Sequence, residues 1–80
     1  ENQVNFNVYP NPSNGEFTIS LASEKAESTN LVVTDIVGNT VMTKTIRVAG
    51  QTTTSISLEN YSSGVYFLTI GNKTTKLILE

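Results

Sequence analysis

Eighty residues carry seven carboxylates against five lysines or arginines, for a formal charge of −2, and include neither histidine nor cysteine. That composition excludes disulfide frameworks, thiolate or imidazole metal sites, Cys or His nucleophiles and His-based triads, and the scattered Lys25, Lys44, Arg47, Lys73 and Lys76 make no basic footprint for nucleic acid or an acidic membrane. One small domain is the capacity of such a chain; no apolar run reaches membrane-spanning length, and Glu1-Asn2-Gln3-Val4 does not open a secretory signal peptide, so the chain reads either as cytosolic or as a piece of something longer.

Thr, Ser, Asn and Val dominate, which favours strands joined by polar turns. Val4, Phe6 and Val8 alternate with Gln3, Asn5 and Asn7 as a half-buried strand. Tyr9-Pro10-Asn11-Pro12 ends it, because two prolines remove two backbone donors and bias Tyr9 and Asn11 towards extended geometry. Ser13-Asn14-Gly15 turns the chain into a second strand with Phe17, Ile19 and Leu21 on one face. Residues 22–30 hold Glu24, Lys25 and Glu27 with only alanines as apolar residues, and read as a solvated loop. Leu31-Val32-Val33-Thr34 is a compact strand, Asp35-Ile36-Val37-Gly38-Asn39 a turn, and 41–46 the returning partner. At the strand end Asp35 is placed for its carboxylate to accept hydrogen bonds from nearby backbone amides. Ala49-Gly50 and three threonines lead to Ile56-Ser57-Leu58, and Glu59-Asn60-Tyr61-Ser62 is a polar corner.

The last eighteen residues read as a β-hairpin. Gly71-Asn72 tolerates the positive φ of a tight turn between two β-rich runs. Tyr66, Leu68 and Ile70 share one face of the first run; Val65, Phe67 and Thr69 share the other, so this strand is central. In the final run Leu77 and Leu79 lie on one face and Lys76 and Ile78 on the other, which leaves the charged Lys76 and Glu80 near an edge or end, where charge discourages stray pairing. The total is about seven short strands at intervals of roughly 8 to 12 residues, the pattern of an all-β, small antiparallel β-sandwich; an immunoglobulin-like Greek key is the expected architecture, with a small barrel as alternative. The expected core is Phe6, Val8, Phe17, Ile19, Leu21, Leu31, Val33, Val41, Ile56, Leu58, Tyr66, Leu68, Ile70, Leu77 and Leu79.

Little in the chain carries chemistry. The carboxylates form no calcium loop, and the five glycines assemble into no phosphate loop. No catalytic, cofactor-binding or metal site is expected. Asn60-Tyr61-Ser62 and Asn72-Lys73-Thr74 match the glycosylation tripeptide, a pattern that chance supplies in so Asn- and Thr-rich a chain. Tyr9, Tyr61 and Tyr66 are the candidates for a sugar-stacking platform, but Tyr66, just after Gly64, is better suited to packing inward and bonding the chain at a corner.

Taken together, these residues resemble the type A C-terminal sorting domain of the type IX secretion system, found on proteins exported by Bacteroidetes bacteria. Tyr9-Pro10-Asn11-Pro12 with Gly15 resembles its opening signature, Asp35 and Gly38 its Asp-x-x-Gly turn, Gly64-Val65-Tyr66 its Gly-x-Tyr motif, and Gly71-Asn72 with Lys76 its terminal hairpin. The family's usual Leu-Pro is replaced here by Tyr61-Ser62, and its Lys or Arg after the mid-domain glycine by Asn39.

The resemblance implies that residues 1–80 are a single address-label domain, not an enzyme, at the end of a larger secreted protein. Such a domain directs a covalently linked N-terminal cargo through the periplasm to outer-membrane machinery and on to the surface or medium. A sortase-like cysteine peptidase commonly removes it and attaches the cargo to the cell surface. The hairpin of residues 64–80 is the expected recognised surface, read by addition of a strand to its free backbone edge. Gly64, Tyr66, Gly71, Lys73, Lys76, Leu77, Ile78 and Leu79 are its candidate residues, with Lys73 and Lys76 as polar contacts. Pairing of isolated domains through their edges is a further expectation. The competing reading is an accessory β-sandwich that binds carbohydrate or spaces other domains.

Overall fold

The computed structural model describes residues 4–80, so the reading of Glu1, Asn2 and Gln3 lies outside the described residues. Five strands form one curled antiparallel sheet: β1 (Asn5–Tyr9), β2 (Glu16–Asp35), β3 (Thr40–Ser57), β4 (Gly64–Ile70) and β5 (Lys73–Leu79). The all-β, antiparallel expectation matches this; seven strands and an immunoglobulin-like sandwich do not. The reason is continuity. Residues 22–30, expected as a loop, stay within a twenty-residue β2, paired except at a bulge over 24–26, and the two segments flanking Ala49-Gly50 are one eighteen-residue β3.

A bulge accommodates the charged stretch. Ser23 pairs with Gly50 and Glu27 with Val48, so three residues of β2 stand against Ala49 alone. The buried Ser23 hydroxyl shares its proton between the Lys25 carbonyl (2.8 Å) and Glu27 Oε2 (2.7 Å), and accepts from the Lys25 amide. Glu24 and Lys25 thereby face solvent without ending the strand. Periodicity alone does not show this, because the alternation of apolar residues lapses across the bulge.

The bulge is also a bend. Lys44 Nζ donates to Thr54 Oγ1 at 2.8 Å and to the Ser55 carbonyl at 3.2 Å. Ten residues of straight strand would separate Lys44 from Thr54 by about 33 Å. β3 therefore doubles back near Gly50, whose φ is +69°. β2 follows, and its two halves face each other as a half-barrel.

The other strands fall into place along β2. Residues of β2 between Thr18 and Ala22 pair with both β1 and β3, so those two occupy opposite edges. β4 takes the same edge as β1 but beside the second half, at Leu31 to Asp35, and β5 lies outside β4. β4 is thus central and β5 marginal, as their apolar patterns require. The core between the halves is Phe17, Ile19, Leu21, Leu31, Val33, Ile46, Val48, Ile56, Leu58, Tyr66, Leu68, Ile70, Leu77 and Leu79. Phe6, Val8 and Val41, expected inside, are only half-buried against it, since β1 is a short marginal strand and Val41 sits at a register shift. Ile46 and Val48, absent from the expected core, are buried because the bend turns that part of β3 inward.

Candidate recognition surface

The terminal hairpin closes through Gly71 and Asn72 between the paired Ile70 and Lys73. Gly71 takes positive φ (63°) and Asn72 does not, the φ signs of a type II′ turn. Because Ile70 and Lys73 flank a two-residue turn, they form a hydrogen-bonded pair. Alternation then directs the backbone groups of Lys73, Thr75, Leu77 and Leu79 towards β4, and those of Thr74, Lys76 and Ile78 away from it.

Those outward groups meet the segment that the prolines define. Asn11 Nδ2 donates to the Lys76 carbonyl at 2.7 Å, and the Ile78 amide donates to Asn11 Oδ1 at 3.0 Å. Its primary amide copies the donor and acceptor of a neighbouring strand. One residue past Pro12, the Ser13 amide donates to the Ile78 carbonyl (3.0 Å) and the Glu80 amide to the Ser13 carbonyl (2.8 Å), a parallel bridge between Ser13 and Leu79. Two motifs at opposite ends of the chain form one surface. The outer edge is consequently half closed: the Lys76 carbonyl and both backbone groups of Ile78 are taken, and among the described residues the Thr74 amide and carbonyl and the Lys76 amide have no partner there. The free edge expected for strand addition is therefore short, and lies towards the turn.

Gly15 has a packing role. A Cβ there would lie 2.6 Å from Glu59 Cγ, while the Gly15 carbonyl accepts from the Leu58 amide at 2.7 Å. This close approach holds the Glu59 corner against the Ser13 turn, whose buried hydroxyl donates to the Glu16 carbonyl at 2.6 Å. Ser13 is the residue that sequence reading missed here; it looked like any turn serine.

Tyr66 behaves as expected, with its ring buried and its hydroxyl donating to the Ser62 carbonyl at 2.6 Å. Tyr61 stacks edge-on against it, centroids 6.4 Å apart and planes at 66°, and donates from its hydroxyl to the Val41 carbonyl at 3.0 Å. A flat sugar platform is not formed by these rings. One is buried and the two are steeply inclined, while Tyr9 lies on β1. Leu77 and Leu79 are buried, so their part is the core; Lys76 and Ile78 point outward beside Phe67 and Val65, their cross-strand partners. Lys73 donates to Asn5 Oδ1 at 2.8 Å, tying the hairpin to β1. Between them lies an open polar groove of about 380 Å³, lined by Asn5, Asn7, Asn11, Lys73 and Thr74 among others. Gly64 starts β4.

The Asp35 turn is locked locally. Asp35 Oδ1 accepts from the amides of Val37 (3.0 Å) and Asn39 (2.9 Å), and Oδ2 from the Asn39 side chain (3.3 Å); the Gly38 amide donates to the Asp35 carbonyl. Hydrogen bonding, led by the Asn39 amide, holds the Asp35 carboxyl below its ordinary range. The clamp leaves Ile36 and Val37 71% and 77% exposed at the tip. Sequence reading passed over both as turn filler; two adjacent aliphatics inside a turn were the available signal.

Among the described residues no cluster of three or more carboxylates could hold a metal, and no helix is long and apolar enough to cross a membrane. The described residues present a β-rich shell with shallow polar grooves and one composite edge. In the comparison with family models, residues 7–80 match the secretion system C-terminal sorting domain. The chain belongs to that family, and is a C-terminal sorting signal of type IX secretion, a class whose members are signals and not catalysts. Such a signal implies a cargo, secretion machinery that reads it, and export across the envelope to the cell surface or beyond. No curated protein matches the chain.

Proposed function

We propose that this domain directs a cargo fused to its N-terminus through the outer membrane, and that the outer face of its terminal hairpin, with Lys76 and Ile78, is read by the machinery. The match over residues 7–80 carries this reading. It is supported by the way Asn11 and Ser13 seat β5, so that the same segment that seals the fold also presents the terminus. Lys73, bonded to Asn5, has a positional role, and Gly64, Gly71, Tyr66, Leu77 and Leu79 act by maintaining the hairpin. Removal of the domain by a sortase-like cysteine peptidase and attachment of the cargo to the cell surface complete the sequence of events. Residues 1–80 in this reading are one sorting domain at the end of a longer secreted protein.

The test is a neutral folded reporter carrying residues 1–80 at its C-terminus, expressed in a bacterium with the type IX machinery. Delivery to the surface or medium is the expected result; a folded fusion held in the periplasm would sink the sorting role. Deleting 76–80 is a poor probe, since it also removes buried Leu77 and Leu79. Lys76→Ala keeps the core, and its export at the wild-type level with unchanged stability would remove Lys76 from the contact.

A further inference from the structure

The exposed large hydrophobic residues are Tyr9, Ile36, Val37, Tyr61 and Ile78. They come from four separate stretches of chain, yet the pairing brings them to one end. Asp35, beside Ile36, pairs with Tyr66, which pairs with Leu77; Tyr61 packs on Tyr66 and bonds Val41; Ile78 is held by Asn11 and Ser13, next to Tyr9. The opposite end is the bend at residues 23–27 and 48–50. Asn5 pairs there with Ala22, so the chain enters at the bend and Glu80 lies at the apolar end of a molecule 36 Å long.

Charge separates the same way. Glu16, Asp35, Glu59 and Glu80 belong to the apolar end: Glu16 pairs with Ser57, Glu59 touches Gly15 and the Glu80 amide bonds Ser13. Towards the bend Lys25, Arg47 and Lys73 outnumber Glu24 and Glu27, while at the apolar end the four carboxylates have, among the described residues, one cation near them, Lys76, paired with Phe67. An apolar end with an acidic rim is repelled by anionic lipid headgroups and by a second copy of itself, and suits a concave apolar partner with a basic rim. The Asp35 clamp fixes Ile36 and Val37 in place before any encounter, which lowers the ordering cost of binding.

We propose that this end, with the Ile36-Val37 tip as its most exposed apolar part, docks into an apolar, basic-rimmed pocket on a protein of the secretion machinery. The inference rests on the sorting-signal reading and extends the recognised surface beyond the hairpin, to a turn some forty residues earlier in the chain.

The reporter fusion tests it with two variants, Ile36→Ser/Val37→Ser and Glu59→Lys. Both change exposed positions and retain Asp35 and Asn39, and equal thermal midpoints verify their folding. The double variant is expected to lower surface delivery by roughly tenfold or more, and the charge reversal to lower it severalfold. Wild-type export by either folded variant overturns the proposal while leaving the sorting role intact; failure of the unmodified fusion to be exported is instead a failure of the sorting role, and the proposal falls with it. Wild-type binding to phosphatidylglycerol vesicles, or dimerisation in sedimentation, that the double variant abolishes would also overturn it, in favour of lipid or a second copy.

Discussion

Asp35 shows how much one side chain arranges. Its carboxylate closes a four-residue turn through two backbone amides and one side-chain amide, and so holds two aliphatic residues in water. Those bonds favour the ionised form, so the folded pKa lies below the unfolded one. The stabilisation is then complete above the unfolded value and is lost as pH falls through the folded one. Asp35→Asn should be less stable than wild type at pH 7, with the gap closing below about pH 4; thermal melts across pH 2 to 7 would show it. A gap that persists at pH 2 would mean that the ionised form has no special part. This interaction was legible in the sequence because its partners lie within four residues. Asn11 was legible only as a break after Tyr9, since its partners are 65 and 67 residues away and no local pattern encodes them.

At the scale of elements, β5 is a marginal strand that the chain protects with borrowed groups. Edge strands invite unwanted pairing, and here an asparagine side chain and one serine backbone occupy the exposed ladder. On β3 the Val41 and Ser55 carbonyls are similarly occupied, by the Tyr61 hydroxyl and the Lys44 ammonium. Asn11→Ala should cost about 1 to 2 kcal/mol, the range for lost hydrogen bonds at a partly solvated site. Amide exchange at Ile78 should rise while that at Leu68, in the centre of the sheet, follows global unfolding. Equal protection of Ile78 in both proteins would show the clamp to be dispensable. The sequence placed the strands correctly by alternation but broke β2 and β3 in two. Polar, charged composition at 22–30 is the signature of a loop, and it is equally that of a bulge whose outward residues are solvated.

For the whole molecule, the bend gives the domain a direction. Chain entry lies at the bend, with Lys25, Arg47 and Lys73 beside Glu24 and Glu27, and Glu16, Asp35, Glu59, Glu80 and the exposed hydrophobics are at the other end. A cargo joined before Asn5 therefore lies away from the surface proposed to be read. A folded domain appended after Glu80 should cover that surface and abolish export, whereas the same domain placed before residue 4 should be exported; matched fusions assayed by surface labelling would decide. Export of both would show that recognition does not need the apolar end to be clear.

Strand faces, most of the core, the terminal hairpin, the Asp35 turn and the family-like motifs follow from residues near each other in the chain, because alternation and turn chemistry are local properties. The curl of the sheet, the seating of β5 by Asn11 and Ser13, and the gathering of Ile36, Tyr61 and Ile78 at one end arise from pairing between distant segments. Register and bending settle those, and both depend on how the halves of β2 and β3 pack together, which no short window of sequence contains.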